Sequence, residues 1–112
     1  MAFLPERTYI EEVIANAYDL SDGPSNFQSA DLSRFLNFSL HFDCSLIDGT
    51  NIFCIEQSNT GTAWSLLSDN YELSPGSSNF IIDKSIFTGK YIRVCVTTAD
   101  TGILTIILIA KR

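Results

Sequence analysis

The chain has 112 residues, of which 46% are hydrophobic and 18% are charged; it is long enough for one domain with one core and too short for two. Its formal net charge of −6 at pH 7 opposes binding to phosphate backbones, so we expect no nucleic-acid partner. No apolar run approaches the ~18 residues of a membrane span, and the start "MAFLPERTYIEEV" lacks the basic and apolar regions of an export signal. We therefore expect a protein that is made in the cytoplasm without a membrane span.

The first part of the chain is predicted to be an N-terminal arm and linker, residues 1–27, followed by a sandwich domain, residues 28–112. Within the arm, Ile10, Val13, Ile14 and Ala17 have helical spacing, but the short segment also suits a strand, and both interpretations stay open. The segment "DLSDGPSN", residues 19–26, is rich in turn-forming residues and predicts a connection.

The next segment is the clearest strand. Apolar and polar residues alternate from Leu36 to Asp43, which is the period of a strand with one buried face. Asp48-Gly49 predicts a two-residue hairpin that joins this strand to "NIFCI". In the favoured register Cys44 lies opposite Phe53, which predicts no disulfide between Cys44 and Cys54.

The rest of the chain also alternates short β-rich segments with turns. A turn at residues 59–61 precedes a strand that carries the only tryptophan, "FIID" is a short strand, and a last hairpin is predicted around residues 99–102. The sequence thus predicts an all-β protein, an antiparallel β-sandwich or jelly roll of about 7–8 strands with an N-terminal arm. The residues predicted to form its core are Phe38, Leu40, Phe42, Trp64, Ile92 and Val94.

The last strand is apolar on both of its faces. Ile103, Ile107 and Ile109 point to one side, whereas Leu104, Ile106, Leu108 and Ala110 point to the other. Only one of these faces can line a two-sheet core, so the other needs cover from the arm or from a second subunit, and both remain open. We predict an oligomer interface at Leu104, Ile106 and Leu108.

Side chains with catalytic potential are few. His41 is the only histidine and lies on the polar strand face, which indicates a solvated side chain rather than a general base. Cys44, Cys54 and Cys95 are too widely spaced for a zinc knuckle and are expected to be reduced and to fill core space. We predict no catalytic, cofactor-binding or metal-binding residues and no enzymatic activity.

Three segments in order, "DLSRFLNFSLHF", "FCIEQSNTGTAWSLL" and "GKYIRVCVTTADTGILTIILIAKR", resemble small phage virion structural proteins with a discoidin-like or jelly-roll β-sandwich. Thr60 departs from that pattern, in which an aspartate is common at this position. The residues that match the pattern are Asp31, Leu32, Ser33, Phe35, Asn37, Ser39, Glu56, Ser58, Asn59, Gly61, Trp64, Leu67, Tyr91, Arg93, Val94, Gly102 and Leu104.

The resemblance implies a bacteriophage virion location and a non-enzymatic role, as a capsid-associated or spike-base subunit that forms homo-oligomers and contacts other virion proteins. The alternative is a carbohydrate- or surface-binding module, with a glycan as its partner at the end loops. Asp48-Gly49 and the segment "LSPGSSN" are the candidate loops, and Tyr71 is the one aromatic residue placed near them.

Overall fold

The computed structural model describes residues 9–33, 35, 37–84 and 89–111. They form two antiparallel β-sheets that pack on one shared core, so the predicted all-β sandwich is confirmed. Ten strands are present among these residues rather than 7–8, because three of them have only two residues each. The strands are β1 Tyr9–Asp19, β2 Ser25–Asn26, β3 Ala30–Asp31, β4 Asn37–Asp48, β5 Asn51–Ser58, β6 Ser65–Leu66, β7 Tyr71–Leu73, β8 Asn79–Lys84, β9 Tyr91–Thr98 and β10 Thr101–Lys111.

The first sheet has the strand order β1-β10-β4-β8, and every neighbouring pair in it is antiparallel. The second sheet has the order β2-β9-β5-β6, with β3 also paired to β9 and β7 also paired to β5. The long strands β10 and β4 are therefore central in the first sheet, and β9 and β5 are central in the second. Among the described residues, no helix is long and apolar enough to cross a membrane.

The core lies between the sheets and is filled by alternate side chains of the central strands. The Phe42 ring of the first sheet lies 4.7 Å from the Phe53 ring of the second, centroid to centroid. Phe80, the register partner of Phe42 on β8, stacks on Phe42 at 4.7 Å and lies 6.4 Å from Phe53, and Tyr71 stacks on Phe53 at 5.1 Å. This aromatic column joins both sheets, and contacts of this kind stabilise a core beyond the area that they bury.

The segment that was ambiguous between helix and strand is a strand. β1 pairs with β10 along its length, with register shifts between Val13 and Ala15 and between Ala15 and Tyr18. Ala17 has a φ of 50°, and its N–H donates to Thr105 Oγ1 at 3.0 Å. These bulges break the period of two, which explains why the sequence pattern resembled a helix.

β1 also differs from the predicted division of the chain. It is the edge strand of the first sheet, and β2 pairs with β9 in the second. Residues 9–26 therefore belong to the sandwich rather than to a separate arm. Residues 1–8, like Leu36, lie outside the described part of the chain.

Both predicted hairpins are wrong in the same way. β4 and β5, joined through Asp48-Gly49, lie in different sheets, and so do β9 and β10. The alternating sequence pattern cannot distinguish a hairpin from two strands in facing sheets, because both arrangements bury the apolar side chains of the two strands in one core. The predicted pairing of Cys44 with Phe53 is accordingly replaced by contact between Phe42 and Phe53 across the core.

Candidate functional site: the outer faces of the two sheets

An apolar row crosses the outer face of the first sheet. Val13, Ile107, His41 and Ile81 are successive register partners on β1, β10, β4 and β8. Val13 is 58% exposed and Ile81 is 62% exposed, while Ile107 between them is half-buried. The row thus presents branched aliphatic side chains to solvent on β1, β10 and β8, and the exposed His41 on β4 lies between Ile107 and Ile81.

The flanking positions on β10 extend this surface. Ile103 and Ile109 lie on the same face as Ile107 and are half-buried, with Thr105 between them. β1 lies beside β10 within the sheet rather than over it. We call the set Val13, Ile81, Ile103, Ile107 and Ile109 the outer aliphatic face, in which His41 of β4 separates Ile81 from the other four residues. Exposed apolar surface marks contact sites in soluble proteins.

The residues predicted to form the oligomer interface lie on the opposite face. Leu104 and Ile106 are 0% exposed and Leu108 is 1% exposed, and all three belong to the core between the sheets. They cannot contact another subunit while the sandwich is intact, so this assignment is wrong. Both faces of β10 are apolar, as the sequence indicates, but the isoleucine face is the outer one.

Most of the predicted core residues lie in the core. Phe38, Leu40, Phe42, Ile92 and Val94 are buried there at 2% exposure or less. Trp64 is the exception, since it is half-buried on the outer face of the second sheet, where Arg93 Cζ lies 4.2 Å from the centroid of its ring.

Trp64 reaches that outer face through a tight loop. Ser58 Oγ accepts hydrogen bonds from the N–H groups of Thr60 and Gly61, at 3.1 and 2.9 Å, and Gly61 has a φ of 82°. Thr60 Oγ1 then accepts from Ala63 N–H at 3.1 Å. These backbone N–H groups therefore bond to side-chain hydroxyls instead of to a neighbouring strand, and the chain turns just before Trp64.

Beneath Trp64 lies an ion pair. Arg93 Nε donates to Glu56 Oε1 at 2.8 Å, and these two residues are register partners on β9 and β5. Burial by itself would raise the pKa of Glu56, but the hydrogen bonds from Cys95 and Arg93 and the charge of Arg93 outweigh it and lower that pKa. Glu56 therefore stays ionised and accepts two donors on one oxygen.

Two cysteines complete this cluster. Cys54 and Cys95 are register partners on β5 and β9, and each is 3% exposed. The Cys95 thiol donates to Glu56 Oε1 at 2.7 Å. Burial raises the pKa of Cys95 to about 12, together with the hydrogen bond and charge of Glu56. Burial also raises the pKa of Cys54.

The sequence analysis missed this cluster because it paired the strand of Cys54 with that of Cys44 and expected all three cysteines to fill core space. Cys44 lies instead on β4, in the other sheet, and all three cysteines are free. One feature of the sequence could have indicated the true pairing, namely that the segments "CIE" and "RVC" place two cysteines and an opposite charge pair in antiparallel register.

The loops proposed for glycan binding do not present an aromatic platform at Tyr71. That ring is half-buried against Phe53. A shallow cavity of about 250 Å³ lies elsewhere, beside the Ser58 loop, and hydroxyl and amide side chains such as Gln57 and Thr60 line it. His41 is exposed on the outer face of the first sheet, as its position in the strand pattern predicts.

Comparison with known proteins supports the fold and does not identify a family. No family model matches the chain, and no curated protein matches it. Among solved structures, the chain is similar to one from work on Bacillus endospore appendages, described as a novel family of disulfide-linked pili, with a TM-score of 0.58 at 10% identity. The match covers 99% of this chain and 94% of the other, so the likeness extends over the whole sandwich.

Proposed function

We propose that this chain is a non-enzymatic structural subunit that assembles with copies of itself through the outer aliphatic face of the first sheet. The observation that carries the proposal is the row of Val13, Ile107 and Ile81, in which the two end residues are 58% and 62% exposed. Burying such side chains in a subunit contact contributes about 25 cal/mol per Å² of apolar area. A second copy of the sheet supplies a surface of the same shape and chemistry.

The similar solved structure supports this proposal at the level of architecture. It comes from appendages that are described as pili, which are built from repeated subunits, and its chain and this one match over nearly their full lengths. A sandwich of this size is therefore compatible with repetitive assembly.

The resemblance of the sequence segments leads to the more specific part of the proposal, a virion protein that is capsid-associated or forms a spike base. Its partners are then further copies and other virion proteins. Capsid or tail genes beside the gene for this chain, and the chain itself in the mass spectrum of purified particles, are the expected findings. Purified particles that lack the chain would contradict the virion role, and the proposal of self-assembly would be unaffected.

Light scattering after size exclusion tests self-assembly directly. The wild-type protein is expected to exceed its monomer mass of 12.4 kDa at micromolar concentration, and the double variant Ile81→Lys, Ile107→Lys is expected to be a monomer with an unchanged circular dichroism spectrum. The matched control, Thr62→Lys with Thr97→Lys, adds the same charge at two exposed positions outside this face and should assemble as the wild type does. A wild-type protein that remains a monomer at every concentration would overturn the proposal.

A further inference from the structure

The Cys54, Glu56 and Cys95 side chains converge on one point of the outer face of the second sheet. Their potential ligand atoms, two sulfurs and a carboxylate oxygen, all lie within 4.8 Å of one another. We propose that these three residues bind one soft divalent cation of the zinc class, through two thiolates and one carboxylate oxygen. This site is separate from the outer aliphatic face, which lies on the other sheet.

The backbone places the three proposed ligands on one face of the second sheet. Cys54 and Glu56 are two positions apart on β5 and so share a face, and Cys95 is the direct partner of Cys54 on β9. The three Cβ atoms therefore form a small triangle on one side of the sheet. Since central strands hold all three, a metal ion would meet ligands that are already oriented.

The three ligand atoms lie near enough for one ion to reach all of them, although one pair is closer than it would be around a bound ion. Zinc lies about 2.3 Å from thiolate sulfur and about 2.0–2.2 Å from carboxylate oxygen, which separates two ligands of a tetrahedral ion by about 3.5–3.8 Å. Cys95 Sγ and Glu56 Oε1 are 2.7 Å apart, and the sulfurs of Cys54 and Cys95 lie within 4.8 Å of each other. Side-chain rotation alone can adjust these separations, and a water molecule completes the tetrahedron.

The charges also balance. Binding releases the two thiol protons to solvent, so two thiolates and one carboxylate give −3, and the divalent cation and Arg93 give +3. Arg93 holds Glu56 at 2.8 Å and is itself covered by Trp64. A residue that hydrogen-bonds to a ligating carboxylate, as Arg93 does here, orients that carboxylate. The positive charge of Arg93 also leaves the site beneath Trp64 with no net charge when the cation is bound.

Cobalt titration of the reduced full-length protein tests the site. Co²⁺ is expected to bind one per chain, with thiolate charge-transfer absorption in the near ultraviolet and tetrahedral bands in the visible, and Zn²⁺ should displace it. Cys54→Ser and Cys95→Ser should each abolish the thiolate absorption, and Glu56→Gln should weaken binding by about 10-fold or more.

Cys44→Ala is the matched control, because it removes a buried thiol from the other sheet and should leave the cobalt spectrum unchanged. Circular dichroism of each variant separates loss of the site from loss of the fold. Three results would overturn the proposal: no thiolate absorption in the wild-type protein, the same absorption in the folded Cys54→Ser variant, or a Cys54–Cys95 disulfide that forms in the presence of one equivalent of Zn²⁺.

Discussion

The side-chain oxygen of Asn51 accepts a hydrogen bond from the Asp100 N–H at 2.7 Å, across 49 positions of sequence. The Asn51 amide also donates to the carbonyl oxygen of Asp48 at 2.9 Å and lies 3.5 Å from that of Thr101. Asn51 is 0% exposed. One buried amide therefore holds together the two connections, β4 to β5 and β9 to β10, at which the chain passes from one sheet to the other.

Replacing this amide should be costly. We expect Asn51→Ala to lower the free energy of unfolding by about 1–3 kcal/mol for each buried backbone group left without a partner. Urea denaturation followed by circular dichroism measures the change, and Asn70→Ala, at an exposed asparagine, is the control. Equal costs at the two positions would show that the connections do not depend on Asn51.

Trp64 should contribute less to stability than its size suggests. Its ring covers Arg93 on an outer face, and a contact of this kind contributes about 0.5–1 kcal/mol. Phe42 is 0% exposed within the aromatic column, where truncation to alanine costs about 3–5 kcal/mol. Denaturant titration of Trp64→Ala and Phe42→Ala should give clearly different midpoints, and a Trp64 variant as unstable as the Phe42 variant would place the tryptophan in the core.

Gly102 occupies a position that alanine cannot fill. Its φ is +141°, and a Cβ atom there would lie 2.5 Å from Ile47 Cδ1 and 3.1 Å from Ile47 Cα. We expect Gly102→Ala to cost on the order of 1–3 kcal/mol from backbone strain, with a further cost from the collision.

Gly76 provides the matched control for this substitution, since its φ is +83° and no atom lies within 4 Å of its would-be Cβ. The difference between the thermal unfolding of Gly102→Ala and that of Gly76→Ala isolates the collision. If both variants melt at the same temperature, Ile47 moves aside without cost.

The buried thiols should make the protein less stable in alkali. The pKa of Cys44 is raised from 9.0 to about 11, mainly by burial and further by the charge of Asp43, and the pKa of Cys95 is raised to about 12. Above pH 9.0 the unfolded chain loses these thiol protons while the folded chain keeps them, so the free energy of unfolding should fall as the pH rises toward 11 or 12.

Urea denaturation under reducing conditions at a series of alkaline pH values checks this. The double variant Cys44→Ala, Cys95→Ala should show a shallower fall than the wild type. Tyrosines and lysines titrate in both proteins, so only the difference between the two curves is interpreted. Parallel curves would mean that the thiols ionise as readily in the folded chain as in the unfolded one.

The candidate sites were only partly predictable, because their members come from strands that are distant in sequence. The two apolar faces of β10 are evident from the alternation of residues 103–110. The presence of Val13 and Ile81 in the same row depends on β1 and β8 lying in the first sheet. Likewise, Cys54 lies beside Cys95 only because β5 pairs with β9. The sequence pattern does not single out this pairing, because several other strand pairings would match apolar residues equally well.

The sequence by itself determined that this chain is an all-β sandwich, because the period of two, the β-branched segments and the turn residues are local properties that act within a few residues of each other. It also determined most of the core, including Phe42 and Val94. Only the tertiary structure decided which face of β10 is buried, which strands share a sheet, and that Trp64 lies outside. Strand pairing between distant segments follows from the packing of the whole molecule. The alternating sequence pattern is the same whether an apolar side chain contacts a neighbouring strand of its own sheet or a strand of the other sheet across the core.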